Sequence, residues 1–533
     1  MSYAVDTHQP QGRNNNHIGI PEDLKGYVCV MDGILYVANV KKGTATCFNF
    51  ESRLRKSGRI EDKQVVALPK LQELQKKQEQ QTEGRKQEID ASELVQDAQN
   101  LFREAAKKNV SDIHIRVHQN FADVLFRIDG ALQEHSQMPT NYANALLSTV
   151  YQVMAEGDSL SHPYYQPTTF QDARVADSEH LPKNLHSIRI ASGPKVGGRF
   201  MVLRLLYAET EKTSGNLKNR LFDLGYSSLH VKTVGFMRDR PTGINIIAGP
   251  TGSGKSTTLK HQLESISDNR PDLNIMSVED PPEYPMQGVV QMPVTNTDSN
   301  EDRANAFGDA IRMALRSDPD IIMIGEIRDP ESAQLAFRAA QTGHQVWTTL
   351  HANSAFGILS RLIDILGSGN GDPITYLSDP TLLTGLVFQK LVRKTCPHCK
   401  IQLIGNEDRL PDNGILNRIS KVIDMSQANI HIVGDGCSKC QGTGIKGRTI
   451  LAEVVAPDPE MLRILRETES VEAARQHWVE KQNGKTVIHH ALDKIASGDI
   501  DPVQAERVVG PLIQDLVFAD GVLEEEELDG LDG

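Results

Sequence analysis

Residues Gly249-Pro250-Thr251-Gly252-Ser253-Gly254-Lys255-Ser256 fit the pattern G-x-x-x-x-G-K-[ST]. The chemistry that needs this spacing is the holding of a polyphosphate. Glycines let backbone N–H groups approach phosphate oxygens closely. Lys255 then reaches the β- and γ-phosphates, and the Ser256 hydroxyl can ligate Mg²⁺. A helix starting at this point turns its positive end toward the anion. We read Gly249, Pro250, Thr251, Gly252, Ser253, Gly254, Lys255, Ser256 and Thr257 as an ATP-binding loop.

Two acidic groups follow. Glu279-Asp280-Pro281-Pro282-Glu283 ends the apolar run NIMSV, and Gly325-Glu326 ends DIIMI. Beside a phosphate loop, one carboxylate can orient or deprotonate the attacking water while another serves Mg²⁺. Taken singly, each is as readily a solvated loop carboxylate; their order after the loop favours catalysis. His344 and His351 flank VWTTL, and His351 is placed to sense the γ-phosphate. Four cysteines, Cys396, Cys399, Cys437 and Cys440, form two C-x-x-C pairs. Four thiolates so paired suit tetrahedral, structural Zn²⁺, and a closed four-thiolate shell leaves no open position for catalysis. Free buried thiols or a redox pair are the blander readings.

The elements that must carry these groups alternate. From 231 onward, short apolar runs such as GINIIA and QVWTTL are followed by helical patterns such as STTLKHQLESI and PESAQLAFRAAQTG. Alternating β and α predicts an α/β fold with a mostly parallel sheet, its chemistry beyond the carboxyl ends of the strands. Upstream, ASELVQDAQNLFREAAKKN has helical apolar spacing, and SDIHIRVH and FADVLFRIDG alternate as strands. They predict a smaller α+β domain over 91–209. Residues 1–65 read as a small module, β-rich in its patterning. Residues 66–90 read as a charged linker or solvated helix, and 210–230 as a linker. The ATPase region spans 231–515 and contains the cysteine module at 386–455. An acidic, solvated tail covers 516–533.

Bulk properties narrow the partners. The 533 residues carry a net charge of -13, and aromatic residues make up 5%. That gives no general attraction to nucleic acid or anionic lipid. No apolar run approaches the ~20 residues of a membrane span, and the polar start has no signal-peptide core. The chain is expected in the cytoplasm, with any membrane role coming through a partner.

In order along the chain, SDIHI, FRIDG, GPTGSGKSTTL, VEDPPEY, ALRSDPDIIMIGEIRD, TGHQVWTTLHANSA and the paired cysteines with GTGIKGR and AEVV resemble the ATPases of type II secretion and type IV pilus assembly. The resemblance covers about 92–510. It implies a RecA-like ATPase domain preceded by a mobile, PAS-like α+β domain, assembled as a homo-hexamer. It implies that Glu279 is the water-activating base, with Glu283 in reserve, and that Glu326 is the Walker B glutamate serving Mg²⁺. His344 and His351 match the histidine box. HSIRIASGPKVGGRFMVLRLL resembles the arginine-bearing region, giving Arg189 and Arg204, with Arg174 as a third candidate.

The work implied is assembly of a type IV pilus or a type II pseudopilus from pilin-like subunits, through an inner-membrane platform protein. Ala173, Pro282 and Lys390 depart from the usual residues without removing a catalytic group. The paired cysteines are typical of assembly motors and argue against a retraction motor. A conjugative-transfer ATPase is a further alternative. A nucleic-acid translocase on the same fold, or a scaffold that binds ATP without turnover, fits the residues less well, and no direct nucleic-acid partner is expected.

Overall fold

The computed structural model describes residues 20–512, apart from position 32, the segments 57–59, 82–90, 157–161, 209–216, 295–299 and 368–371, and positions 163, 412 and 427. The chain forms two compact units, Met1–Tyr207 and Ala208–Gly533.

The first unit opens with a three-stranded sheet of β1 (Val28–Met31), β2 (Ile34–Ala38) and β3 (Asp62–Val66). Helix α1 (Ala45–Lys56) joins β2 to the parallel β3. The run ATCFNF, inside the stretch whose patterning reads as β-rich, is thus helical. Cys47, Phe50 and Leu54 stand three and four residues apart and bury one helical face. Helix α2 (Leu68–Gln81) follows, with Leu71 fully buried near its start.

Helix α3 (Ala91–Lys107) leads into a six-stranded antiparallel sheet. Its strands are β4 (Asp112–Val117), β5 (Phe121–Ile128), β6 (Ala131–Pro139), β7 (Gln171–Val175), β8 (Leu185–Lys195) and β9 (Gly198–Tyr207), in the order β6-β5-β4-β9-β8-β7. Alternation sends Ile113, Ile115, Ile188 and Leu203 into a core with α3 and with α4 (Thr140–Thr149). Residues between them face the other way.

The second unit begins with α5 (Leu217–Leu224) and α6 (Ser228–Arg238), where the sequence reading had a linker. Leu221, Val234 and Met237 are buried against the neighbouring sheet, which is why this stretch is ordered helix. The sheet contains β10 (Gly243–Ala248), β11 (Ile275–Glu279), β12 (Val290–Pro293), β13 (Ile321–Ile324), β14 (Gln345–Leu350), β15 (Leu383–Thr395) and β18 (Ile445–Val455), in the order β12-β11-β13-β14-β10-β15-β18. All neighbours are parallel except β15 and β18. The fold is therefore α/β with a mostly parallel sheet. Every residue of β10 and β14 is buried, as expected of strands covered on both faces. One face packs α7 (Lys255–Asn269) through Leu259 and Leu263. The other packs α9 (Pro330–Gln341) and α10 (Ala355–Gly367) through Phe337, Phe356 and Leu359, in one core with α8 (Asn300–Ala314), α11 (Pro373–Leu377), α13 (Pro459–Thr468) and α14 (Val471–Lys481).

The antiparallel pair β15 and β18 is a hairpin whose turn holds the cysteine module. That module contains the short strands β16 (Ile401–Gln402) and β17 (His431–Ile432) and helix α12 (Asn413–Val422). Leu403, Ile419 and Ile432 share one core with Ile495 of α15 (Val487–Ala496) and Ala505 of α16 (Pro502–Val509). The acidic tail lies outside the described residues.

Candidate functional site at the carboxyl edge of the sheet

Strand register brings the separated motifs to one edge. Ala248 pairs with Leu350, Thr348 with Ile324, and Ile324 with Val278. The phosphate loop after β10, Glu279 to Glu283 at and after β11, Glu326 after β13 and His351 after β14 therefore emerge side by side. His344 precedes β14 and lies at the opposite end of that strand, bonded through Nδ1 to Thr342 and the Ala339 carbonyl at 3.0 Å each. Of the two box histidines, the fold brings only His351 to the loop.

The loop has the backbone its glycines permit. Gly249, Gly252 and Gly254 have φ of 153°, 76° and 86°. At Gly249 a Cβ would stand 2.2 Å from the Gln389 carbonyl oxygen, so only glycine fits. Gly254 is the N-cap of α7. The leading amides of that helix thus face the loop, an arrangement suited to phosphate. Lys255 Nζ donates to the Gly249 carbonyl at 2.8 Å. Burial pulls its amine below the usual lysine range, and the carboxylates of Glu326 and Glu283 act against that shift.

The acidic residues divide by environment. Glu279 is 8% exposed. Its Oε1 accepts from Ser277 Oγ and Gln291 Nε2, both at 2.8 Å. Asp280 is engaged by Arg303, with Nη2 2.6 Å from Oδ1, and by Arg328 Nη1 at 3.5 Å. Glu326 Oε2 accepts from Arg328 Nε at 2.8 Å, while its Oε1 lies 3.3 Å from His351 Nε2. Ser256 lies on the first turn of α7, at the position where the loop pattern puts a hydroxyl that can serve a divalent cation.

Arginines of the first unit form a row. Arg174 pairs with Arg189, Arg189 with Arg204, Arg204 with Asp112, and Asp112 with Arg127 across β7, β8, β9, β4 and β5. Directly paired residues share a face, here the face opposite the apolar core. Asp112 Oδ1 accepts from Arg204 Nε at 3.0 Å, and its Oδ2 lies 3.7 Å from Arg127 Nε. Arg174 Nη2 lies 3.2 Å from His186 Nε2. One carboxylate thus sits among several guanidinium groups.

Sulfur positions in the module fit a tetrahedral metal. Cys396 and Cys437 Sγ are 3.9 Å apart, and Cys440 Sγ lies 3.7 Å from both Cys399 and Cys437 Sγ. Zinc–sulfur bonds of ~2.3 Å in a tetrahedron require sulfur separations of about 3.8 Å. A disulfide needs about 2.05 Å. The Cys437 and Gly444 amides donate to Cys440 Sγ at 3.2 Å, which favours a thiolate ligand.

Residues 87–513 match the model of the family described as Type II/IV secretion system protein. The chain belongs to that family. It is 33% identical over 416 residues to a putative type II secretion system protein E of Escherichia coli K12, covering 78% of this chain and 76% of that one. It is 34% identical over 398 residues to the type II secretion system protein E of Dickeya dadantii, covering 75% and 72%. The type IV pilus assembly ATPase PilB of Thermus thermophilus is 36% identical over 378 residues, 70% of this chain but 38% of that longer protein. In fold, the chain is similar to the X-ray structure of the Legionella pneumophila ATPase DotB, with a TM-score of 0.52 and 21% identity over 79% of this chain and 94% of that one.

The secretion-family chain also contains site residues that sequence reasoning missed. Gln291 stands on β12, a strand that short and half-exposed residues did not announce. Arg303 and Arg328 secure Asp280. Gln389, on β15, touches the phosphate loop through a side chain that no local motif marks.

Proposed function

We propose that this chain is an ATP-hydrolysing motor that drives assembly of a type IV pilus or a type II secretion pseudopilus through an inner-membrane platform protein. The observation that carries the reading is the convergence of Lys255, Glu283, Glu326 and His351 at one sheet edge, in a chain whose residues 87–513 match the secretion family.

The chemistry is phosphoryl transfer to water. Backbone amides of Gly252 to Lys255 and the Lys255 amine bind the β- and γ-phosphates. Ser256 and Glu326 would hold Mg²⁺, which would supply positive charge to the phosphate oxygens. Water attacks the γ-phosphorus, the bond to the ADP oxygen breaks, and a carboxylate takes the water's proton. We assign that base to Glu283 in place of Glu279. Glu279 is buried and already accepts from Ser277 and Gln291, whereas the charge of Glu283 is felt at Lys255. His351 orients Glu326 and senses the γ-phosphate. The sequence resemblance assigns Arg189 and Arg204 guanidinium charge for the developing transition state. Cys396, Cys399, Cys437 and Cys440 would hold a structural Zn²⁺, their four Sγ atoms lying within 4.8 Å of one another.

No helix among the described residues is long and apolar enough to cross a membrane. The proposed location is the cytoplasmic face of the inner membrane, through partners, as a homo-hexamer acting indirectly on pilin-like subunits. The deciding experiment measures phosphate release with and without the cytoplasmic part of the inner-membrane platform protein that the motor is proposed to drive. Stimulation supports the motor reading. Stimulation by DNA in its place would redirect it to a nucleic-acid translocase.

A further inference from the structure

Gln389 has no exposed surface and lies on the floor of the phosphate loop. Phe388 pairs with Ala248, so Gln389 stands one step further, level with Gly249. Phe388 turns into the core beneath α9 and α10, and alternation sends Gln389 to the side of α7. A buried primary amide costs several kcal/mol unless its bonds are made. Here they are made on both ends. Nε2 donates to the Ser253 carbonyl at 2.7 Å. Oε1 accepts from Tyr226 Oη at 2.6 Å and from Thr258 Oγ1 at 3.0 Å.

The sense of the amide follows from chemistry. The Ser253 carbonyl can only accept, so the amide nitrogen must face it. The oxygen then faces Tyr226 and Thr258, both of which can donate. No other uncharged side chain of this length offers a donor and an acceptor at once. A glutamate would set lone pairs against the Ser253 oxygen. A methionine would leave the Ser253 carbonyl without its donor.

The consequence lies in the Ser253–Gly254 peptide. In a trans peptide the C=O and the following N–H point in opposite directions. Holding the Ser253 oxygen down toward β15 turns the Gly254 N–H away from the strand, to the side where the loop receives phosphate. The left-handed φ of Gly254, 86°, is the conformation that allows this.

We propose that Gln389 is a positioning residue of the phosphate loop, which aims the Gly254 N–H at the nucleotide phosphate by pinning the Ser253 carbonyl, with Tyr226 and Thr258 fixing the sense of its amide. The inference rests on the nucleotide-binding reading above. Its ligand is the diphosphate of ADP as much as that of ATP, so binding tests it without turnover.

The test is titration of the full-length protein with Mg²⁺ and a fluorescent N-methylanthraniloyl ADP. Gln389→Met weakens binding at least tenfold while the number of sites per chain stays that of the wild type. Tyr226→Phe and Thr258→Val each weaken it less than about threefold, because one donor remains. Together they weaken it tenfold or more. A merely structural role would lower the number of sites and leave affinity alone. Affinity within twofold of wild type in Gln389→Met overturns the proposal, as does loss of sites at unchanged affinity. Should Gln389→Met fail to fold, the double variant decides by the same two criteria. Failure of the wild-type protein to bind the probe would count against the ATPase reading itself.

Discussion

His351 Nε2 lies 3.3 Å from Oε1 of Glu326, and the two residues leave adjacent parallel strands at the same edge. The imidazole therefore holds one oxygen of the carboxylate assigned to Mg²⁺, while Arg328 holds the other. His351→Ala leaves Glu326 tethered from one side only. We expect steady-state turnover to fall about tenfold with ADP affinity within threefold of wild type, a loss of orientation and not of binding. Equal turnover in a phosphate-release assay would remove His351 from the mechanism.

Glu283→Gln keeps the shape of the side chain and removes its basicity. ATP binding is expected to persist and hydrolysis to fall by about 10²–10⁴, the usual contribution of a general base. Glu279→Gln has a different outcome. Its carboxylate is an acceptor for Ser277 and Gln291, so the expected loss is about 1–3 kcal/mol of stability, read as a lower thermal midpoint with turnover largely kept. The reverse pattern would return the base to Glu279.

Lys255→Ala removes the cation that reaches the β- and γ-phosphates. Turnover should fall to the assay background. Residual hydrolysis above a few per cent of wild type would mean that another cation carries the phosphate charge.

Buried histidines make stability depend on pH. His230 and His490 pack edge to face, with ring centroids 4.6 Å apart. Burial pulls His230 down to about 4 and His490 to about 2. Lys485 and Lys494 add to the shift in both, while Asp493 opposes it at His230. Both rings are neutral in the fold and protonate more readily when unfolded. Their stabilisation is full above the unfolded value near 6.5, fades as pH falls below it, and is lost through the folded values. From pH 6.5 to 4 the loss from His230 is on the order of 3 kcal/mol. Denaturant titrations should show this slope, and His230→Phe should reduce it to the part that His490 contributes. A wild-type stability constant from pH 7 to 4.5 would contradict the assignment.

Metal analysis after gentle purification should give about one zinc per chain. Chelation should lower the thermal midpoint, because the module shares its core with α15 and α16. A metal content well below one, with unchanged melting in chelator, would leave the four thiols as a bare cluster.

Much of this was legible because it is local. The phosphate loop declares itself in eight consecutive residues, and the β/α alternation after 231 places each polar cluster at a strand end. What escaped depends on contacts between distant segments. Glu279 and Glu283 are equally acidic on paper, and only the pairing of β11 with β12 shows that Gln291 occupies the first. Helix α5 could have been read from Leu217, Leu221 and Leu224, but Gly and polar neighbours hid the spacing. Gln389 carried no signal at all. Its role arises because β15 is inserted beside β10, more than a hundred residues away in sequence.

The hairpin of β15 and β18 repays one more look at its two ends. At the root, Gln389 floors the phosphate loop, and Glu453, paired with Phe388, accepts from the first amides of α10 and α15 at 2.8 and 3.1 Å. At the tip, the chain enters the sulfur cluster at Cys396 and leaves it at Cys440. A slip of one residue between β15 and β10 would exchange Gln389 at the loop for an apolar or a cationic neighbour. Joining the strands at the tip ties β15 to β18, whose register sets Glu453 opposite Phe388. The four thiols close the hairpin at the end away from the phosphate loop, so one pair of strands joins the sulfur cluster to the nucleotide site.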